Sequence, residues 1–368
     1  MPYDQEKLSF KDLLAPTVAA TEALARLDER VSRSPLGQGW IDRSHFGDAC
    51  ASLWVDGELV HVEDLVLHDA GMGVRRPTHE LTIAQDILRT RRRILAHPKG
   101  WALSSEGLRR LRRADDDDAP APETKSAANM SMEYFDGGGD EDDPFASELA
   151  AIDAVLARSE ALLATARDTA PRRDGYVRDP LLYEADWDED ERLSQWQDLM
   201  GRTEDLPAVL RAAILLDAWD NLQVLQHAHW VGRLLIASLL RDAGVTAAYL
   251  LPTSLGLKSV ARERRRHRDG NTRVLASLEA MQQAGELGLK EHDRLLLARQ
   301  QMEHRLVGRR SSSKLPQLID LVLSKPMVST RMIADVLSVT PQGALKIAGE
   351  LNLRELTGRG RFRAWGIL

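Results

Sequence analysis

The sequence lacks residues and runs on which several classes of protein depend. Its 368 residues include one cysteine, Cys50. A single thiol can form neither an intrachain disulfide nor a cysteine-based zinc site, which favours a reducing compartment. No apolar run approaches membrane-spanning length, and the first residues, MPYDQEKLSF, contain no apolar signal core. We therefore expect a cytoplasmic protein that does not enter a membrane.

The sequence also lacks the common motifs of cofactor and metal sites. It contains no P-loop, no dinucleotide glycine fingerprint after a strand and no HExxH. His227 and His229 are two residues apart on a predicted helix, so they point to different sides and make a poor metal pair. The acid-rich stretch 183–190 resembles a metal site only in composition. We predict no metal, no cofactor and no catalytic residue.

The acidic net charge of −7 comes from one segment of the chain. Asp115–Asp143 holds eleven acidic residues and one basic residue, Lys125, which is a local charge of −10. The rest of the chain therefore carries about +3 (−7 minus −10), and overall acidity does not argue against a nucleic-acid partner. The segment is also rich in proline and glycine and poor in apolar residues. We predict a disordered acidic linker over residues 115–146.

The last forty residues have the pattern of a winged helix-turn-helix. Ser329 or Thr330 can cap a helix, Thr340 can cap a second one, and Pro341 suits its first position. Two short strands around residues 357–360, Thr-Gly-Arg-Gly, would form the wing. Ala334 is the small residue where the two helices cross, and Ser338 stands where glycine is usual. The predicted apolar positions are Met332, Ile333, Val336, Leu337, Val339, Ala344, Ile347, Ala348 and Leu351.

This module is predicted to bind DNA. Residues 310–368 contain nine lysines and arginines against four acids. The second helix would enter the major groove and the wing would lie beside phosphates or the minor groove. The alternative is that the winged helix serves in protein contact or dimerisation. The candidate DNA-binding residues are Thr340, Gln342, Gly343 and Lys346 on the second helix and Arg359, Arg361 and Arg363 on the wing.

The remainder of the chain is predicted to be mainly α-helical. Apolar residues recur at helical spacing before the acidic linker and after it. We divide the chain into an N-terminal helical region (1–114), the linker (115–146), a helical core (147–309) and the winged helix-turn-helix (310–368). Within the core, separate helices are expected over Val260–Gln283 and Glu291–Leu306, and the helical interval 206–240 is expected to break near Gln226.

Two arginine-rich runs lie outside the C-terminal module. Arg89, Arg91, Arg92 and Arg93 end a predicted helix, and RERRRHRDGNTR spans Arg262–Arg273. Either run could contact phosphate. The alternative for the first run is a solvated helix end near the negative pole of the helix dipole, and for the second it is a solvated face.

Residues 206–255 resemble the core of the Fic family, helical enzymes that transfer AMP from ATP to protein hydroxyls. The family motif is HPFxDGNGRxGR, and its final Gly-Arg aligns with Gly232-Arg233, followed by the apolar helix RLLIASLLRDAG. The catalytic histidine then falls on Leu222 and the metal-binding acid on Gln226, which cannot perform those roles. His227, Ala228, His229 and Trp230 replace the remaining polar and glycine positions. The resemblance implies a Fic-like body without its reaction centre.

A second stretch agrees with this resemblance. Ser52–Gly57 (SLWVDG) is similar to the Fic inhibitory pattern [S/T]xxxE[G/N], with Asp56 in place of the glutamate. In that family the acid pairs with the last arginine of the motif. The resemblance therefore implies a structural contact between Asp56 and Arg233.

The whole chain is also similar to a family of uncharacterised bacterial proteins with a C-terminal helix-turn-helix DNA-binding domain. The phrases EDLVLHDAG, RPTHELT and TGRGRFRAWGIL carry this likeness. Our leading hypothesis is a transcriptional regulator that binds double-stranded DNA, with a homodimer as a further possibility. The alternatives are a divergent AMP transferase and a protein-interaction module that does not bind DNA.

Overall fold

The computed structural model describes residues 8–72, 76–112, 187–306, 314–351, 353–356 and 363–367. This part of the chain is mainly helical and has a small C-terminal sheet, as the sequence predicts. The acidic linker and the part of the predicted helical core before residue 187 lie outside the described residues. The helices are α1 (Phe10–Arg33), α2 (Gly37–Asp56), α3 (Val62–Asp69), α4 (His79–Ala96), α5 (Ser105–Arg112), α6 (Glu189–Arg202), α7 (Ala208–Leu222), α8 (Trp230–Asp242), α9 (Thr253–Lys258), α10 (Arg262–Arg265), α11 (Gly270–His304), α12 (Leu315–Ser324), α13 (Thr330–Leu337) and α14 (Pro341–Glu350).

The described residues of 1–114 and 188–368 belong to one compact unit. Its central element is α11, which packs in parallel against α1. The backbone amide of Ser9 donates to Asn271 Oδ1 at 3.1 Å near the start of the pair. Arg30 pairs with Asp293 at 2.6 Å near its end. The core between them is closed by Leu13, Ala20, Leu24 and Leu27, all fully buried.

The prediction of two separate helices over 260–283 and 291–306 is wrong, because α11 runs continuously from Gly270 to His304. The expected break coincides with Gly285 and Gly288, which are inside the helix. A β-carbon at Gly285 would lie 2.9 Å from the backbone of Ala23, and one at Gly288 would lie 2.5 Å from Leu27. These glycines therefore allow α1 to approach α11 closely, and they do not end the helix.

The interval 206–240 breaks where the sequence predicts. α7 ends at Leu222, Gln223 adopts a left-handed conformation (φ 47°), and α8 begins at Trp230. The two helices then cross at a glycine. A β-carbon at Gly232 would lie 2.3 Å from Cδ1 of Trp219, so only glycine permits this approach.

Two arginines of the run at the end of α4, Arg91 and Arg92, form ion pairs with other parts of the fold, whereas Arg89 is exposed. Arg91 is fully buried and forms an ion pair with Asp48, which is also fully buried. Arg91 also donates to the carbonyl oxygen of Leu250 at 2.8 Å. Arg92 forms a two-pronged pair with Asp69, at 2.7 and 3.0 Å. For Arg91, both phosphate contact and a solvated helix end are excluded, because its guanidinium group is buried inside the fold. The side chain of Arg92 is paired but 40% exposed.

The C-terminal module docks on α2. Arg43 of α2 is 7% exposed and donates to the carbonyl oxygens of Val322 and Lys325, at the end of α12. It also pairs with Glu291 of α11 at 3.3 Å. A β-carbon at Gly39 of α2 would lie 3.4 Å from a carbonyl oxygen in the last turn of α12, so the two backbones approach each other closely. A buried cation thus satisfies the last carbonyls of α12, which a helix end leaves without partners.

A three-stranded antiparallel sheet completes the C-terminal module. β1 (Val328–Ser329) and β2 (Arg354–Glu355) both pair with the central strand β3 (Ala364–Gly366), in the order β1-β3-β2. Val328 is opposite Trp365, and Arg354 is opposite Gly366. Separately, none of the described helices is both long enough and apolar enough to cross a lipid bilayer.

Candidate DNA-binding surface

The two helices of the helix-turn-helix begin at the predicted caps. Ser329 Oγ accepts a hydrogen bond from the amide of Met332 at 3.2 Å and caps α13. Thr340 Oγ1 accepts from the amide of Gly343 at 3.1 Å and caps α14, with Pro341 in the first position. Short-range chemistry therefore fixes both helix starts.

The turn between the helices contains a strained residue. Ser338 follows α13 with φ 51° and ψ 55°, a left-handed conformation that glycine adopts more readily. The amide of Val339 donates to the carbonyl of Ala334 at 3.0 Å and closes the turn. Ser338, which stands where glycine is usual, is thus the residue that must adopt the left-handed conformation.

The core of the module consists of the small and apolar residues expected there, with one exception. Ile333, Leu337 and Ala344 are buried, as are Leu318 and Val322 of α12. Val336 was predicted to lie on the apolar face of the first helix, but it is 59% exposed. Its neighbour Leu337 occupies the core position, and residues one place apart on a helix point about 100° away from each other.

One face of α14 presents exposed side chains in the described part of the chain. Gln342 and Lys346 are exposed, and because they are four residues apart they lie on the same side of the helix. Ala344 and Ala348, which are two residues further along from each of them, are buried on the opposite side. Gly343 is half-buried beside the cap. Thr340 is exposed, and its hydroxyl oxygen already accepts the capping hydrogen bond.

Of the three arginines predicted for a wing, only one is described. Arg359 and Arg361 lie outside the described residues. Arg363 directly precedes β3. It pairs with Glu355 at 2.6 Å, and its guanidinium carbon lies 5.6 Å from the ring centre of Trp365. Its carbonyl oxygen accepts from the amide of Thr330 at 3.2 Å, which ties the sheet to the start of α13.

Two exposed arginines on this module were missed by sequence reasoning. Arg331 is in the first turn of α13, where it approaches Asp335 at 3.7 Å with both side chains mostly exposed. Arg354 is exposed on β2. The sequence could have indicated them only through their places in the predicted module. Arg331 is near the start of its first helix, and Arg354 is in its first predicted strand. Together with Lys346 they add positive charge to its surface.

Away from this module, the structure brings together the Asp56 and Arg233 side chains that the sequence analysis paired. Arg233 is 4% exposed and donates to both carboxylate oxygens of Asp56, at 2.6 and 3.0 Å. It also donates to Ser52 Oγ at 2.7 Å. Asp56 raises the pKa of Arg233 against the opposing effect of burial. The pair joins the end of α2 to the start of α8.

The structure describes the two residues that the Fic resemblance places at the catalytic histidine and the metal-binding acid. Leu222 is buried at the end of α7, and the backbone amide of Gln226 donates to Glu189 at 3.3 Å. Burial raises the pKa of the Cys50 thiol to about 12, so it is protonated and a weak nucleophile at neutral pH. Within the described ranges, no three His, Cys, Asp or Glu side chains are placed to hold a metal ion.

Comparison with known proteins gives two family matches and one close relative. Residues 181–307 match a family described as "Protein of unknown function (DUF1612)". Residues 315–368 match the family described as "HTH DNA binding domain". The chain is similar over its full length to "Uncharacterized protein y4cF" of Sinorhizobium fredii (strain NBRC 101917 / NGR234), with 53% identity over 382 aligned residues and 100% of both chains covered.

Proposed function

The chain belongs to the family of proteins in which a DUF1612 region precedes a C-terminal helix-turn-helix DNA-binding domain, and from this premise we propose that it is a transcriptional regulator that binds double-stranded DNA. The supporting observation is the exposed face of α14. Gln342 and Lys346 lie there side by side, while the opposite face of the same helix is buried in the module. This is the arrangement of a recognition helix, which must present side chains while its other face anchors it.

The proposed contacts follow from the side-chain chemistry. Gln342 can hydrogen-bond both acceptor and donor of adenine in the major groove. Lys346 would hold a phosphate, and Thr340 keeps its hydroxyl proton for a base edge or a phosphate oxygen. Arg359, Arg361 and Arg363 would hold phosphates or enter the minor groove, with Glu355 setting the direction of Arg363.

We assign the remaining helices a supporting role. The proposed division is an N-terminal region (1–114), an acidic linker (115–146), a helical core (147–309) and a winged helix-turn-helix (310–368). The helical body would be a Fic-like shell without catalytic residues that supplies partner contact or a homodimer interface. The proposed location is the cytoplasm.

Sequencing of the DNA that the protein retains tests this proposal. The purified full-length chain is incubated with fragmented DNA of its host at moderate salt. We expect one enriched motif, which should disappear for Q342A/K346A. Lys290→Ala is the matched control, since Lys290 is an exposed lysine on α11. With the recovered motif as a probe, K346A alone should weaken binding to all sequences and lower the salt slope by about 1. If nothing is enriched, or if K346A behaves like K290A, the docking geometry is wrong.

A second candidate is a divergent AMP transferase. The Asp56–Arg233 pair favours it, because the Fic resemblance implies that contact. Leu222 and Gln226 argue against it, since neither can take a proton from a hydroxyl or hold magnesium. Calorimetry with ATP and magnesium distinguishes the two candidates. Co-purification of another protein chain without any DNA binding would instead favour the interaction module.

A further inference from the structure

A polar cleft lies in the helical body, on elements that the DNA-binding proposal does not use. Its volume is about 390 Å³, which falls within the range of small-molecule sites in proteins. The end of α2, the end of α7, the start of α8, the segment around α10 and the start of α11 surround it. The charged side chains that line it are Asp56, Asp217, Asp220, Arg233, Arg265, Arg266 and Arg273.

Two of the four arginines in the cleft are already neutralised. Arg233 is paired with Asp56 at 2.6 Å. Arg273, in the first turn of α11, is paired with Asp217 at 2.5 Å, and Asp217 is almost fully buried. These two ion pairs join four of the surrounding elements and give the cleft fixed walls. They leave no net charge of their own.

The other two arginines have no carboxylate partner in the described part of the chain. The side chain of Arg266 has no hydrogen bond or ion pair there, and it is exposed. Arg265 donates from Nε to the carbonyl of Val260 at 3.1 Å, and its guanidinium group lies 5.7 Å from the ring centre of Trp54. Two positive charges are therefore available at the cleft, and they belong to the arginine-rich run that the sequence analysis singled out for phosphate contact.

A carboxylate in the cleft is also available. Among the described residues, the side chain of Asp220 has no hydrogen-bond or ion-pair partner, and it retains accessible surface toward the cleft. A carboxylate in this position accepts hydrogen bonds from hydroxyl or amine groups. Among the charged side chains named above, two guanidinium groups and one carboxylate thus have no ion-pair partner in the described part of the chain.

We propose that this cleft binds a small organic anion that also carries hydroxyl or amine donors, with its anionic group on Arg265 and Arg266 and a donor on Asp220. The anion neutralises the two arginines that no carboxylate of the described chain pairs with. The donor satisfies the remaining acceptor. Double-stranded DNA cannot be this ligand, because a cleft of this volume admits a molecule of metabolite size but is too small for a DNA duplex.

The protonation of Asp220 gives the binding a pH dependence. The side chain of Asp220 is exposed to the cleft, but the surrounding walls partly remove water from its carboxyl group and raise its pKa to about 6, which Arg233 opposes. As the pH falls through that value, Asp220 loses its negative charge, and repulsion of an anion decreases. Burial lowers the pKa of His229, which lines the cleft, so a positive charge on His229 is disfavoured. The other charged or titratable side chains lining the cleft are Asp56, Asp217, Arg233, Arg265, Arg266, His267 and Arg273.

Calorimetric titration of the full-length chain tests the proposal. The probes are glycerol 3-phosphate, which has an anionic group and hydroxyl donors, sulfate, which has only the anion, and glycerol, which has only the donors. Ionic strength is held constant. We expect binding in the order glycerol 3-phosphate, sulfate, glycerol. R266A should weaken glycerol 3-phosphate binding by about tenfold or more, because it removes charge-assisted hydrogen bonds.

Two variants make the result decisive. Arg262→Ala removes the same charge from the same arginine-rich run, but Arg262 does not line the cleft, so binding should be retained. D220N should reduce the pH dependence of sulfate binding, since sulfate itself does not titrate near neutral pH and Asp220 does. The proposal is overturned if neither anion binds, if R262A weakens binding as much as R266A, or if glycerol binds as tightly as glycerol 3-phosphate.

Discussion

Replacement of Arg91 by methionine should destabilise the whole chain severely. Arg91 is completely buried, and its guanidinium group reaches Asp48, His45 Nδ1 at 3.2 Å and the carbonyl of Leu250 at 2.8 Å. Methionine fills a similar volume but leaves Asp48 as a buried charge without its cation. Breaking a buried ion pair in this way costs about 3–5 kcal/mol. Since domains are stabilised by roughly 5–15 kcal/mol in total, the loss is a large fraction.

The second partner of Asp48 makes this prediction testable in more detail. Asp48 Oδ1 accepts from the amides of Ser254 and Leu255, at 2.7 and 3.0 Å, at the start of α9. Asp48→Asn keeps an oxygen for these amides and removes the charge. The double variant D48N/R91M should therefore be more stable than R91M alone, by about 1 kcal/mol or more, because no unpaired buried charge remains.

Chemical denaturation of the full-length chain, followed by helical circular dichroism, measures these differences. Arg89→Met is the matched control, because Arg89 is exposed on the same helix and should change stability by about 0.5 kcal/mol at most. If R91M unfolds within about 1 kcal/mol of the parent, the buried network is not a source of stability. If D48N and R91M add independently, the two residues are not coupled. Either result refutes the reasoning.

Three further substitutions test other parts of the fold. Ser338→Gly should raise the thermal unfolding midpoint and stabilise the folded state by about 0.5–1 kcal/mol. Glycine relieves the strain of the left-handed backbone, and this gain exceeds the added entropy of the unfolded chain. A lower midpoint would contradict the strain argument. Gly232→Ala should cost about 1–3 kcal/mol in denaturation experiments, since its β-carbon would overlap Trp219, and an unchanged midpoint would mean that the helices separate freely. Arg43→Met should increase amide hydrogen exchange at the end of α12 by tenfold or more, because it removes roughly 1.5–3 kcal/mol of charge-assisted hydrogen bonding. Unaltered exchange there would show that Arg43 does not hold the C-terminal module against α2.

Local sequence patterns predicted the elements whose signals are contained within a few residues. The caps at Ser329 and Thr340 and the proline at 341 define where α13 and α14 begin, because a cap needs only a side chain and an amide three residues later. The departure at Ser338 was visible for the same reason. Of the candidate residues on α14, Gln342 and Lys346 are exposed. They are four residues apart, and helical periodicity places residues at that spacing on the same face.

Signals that depend on distant partners were misread. Gly285 and Gly288 suggest a helix break when only the neighbouring residues are considered. Their actual role depends on α1, more than 250 residues earlier, which packs against them. Val336 and Leu337 were both assigned to the apolar face of the first helix. Which of the two is buried depends on the direction from which α12 and α14 approach.

The sequence by itself determined that this is a mainly helical protein with a basic helix-turn-helix at its end, because helix periodicity, capping and charge are local properties of the chain. Only the tertiary structure decided which arginines are free. Arg91 is buried and Arg273 is paired, whereas Arg266 remains open to the cleft. An arginine has the same charge in every setting, and its role depends on whether a carboxylate from a remote helix reaches it. Whether a carboxylate reaches an arginine depends on the packing of helices that are far apart in the sequence, and the spacing of neighbouring residues does not encode it.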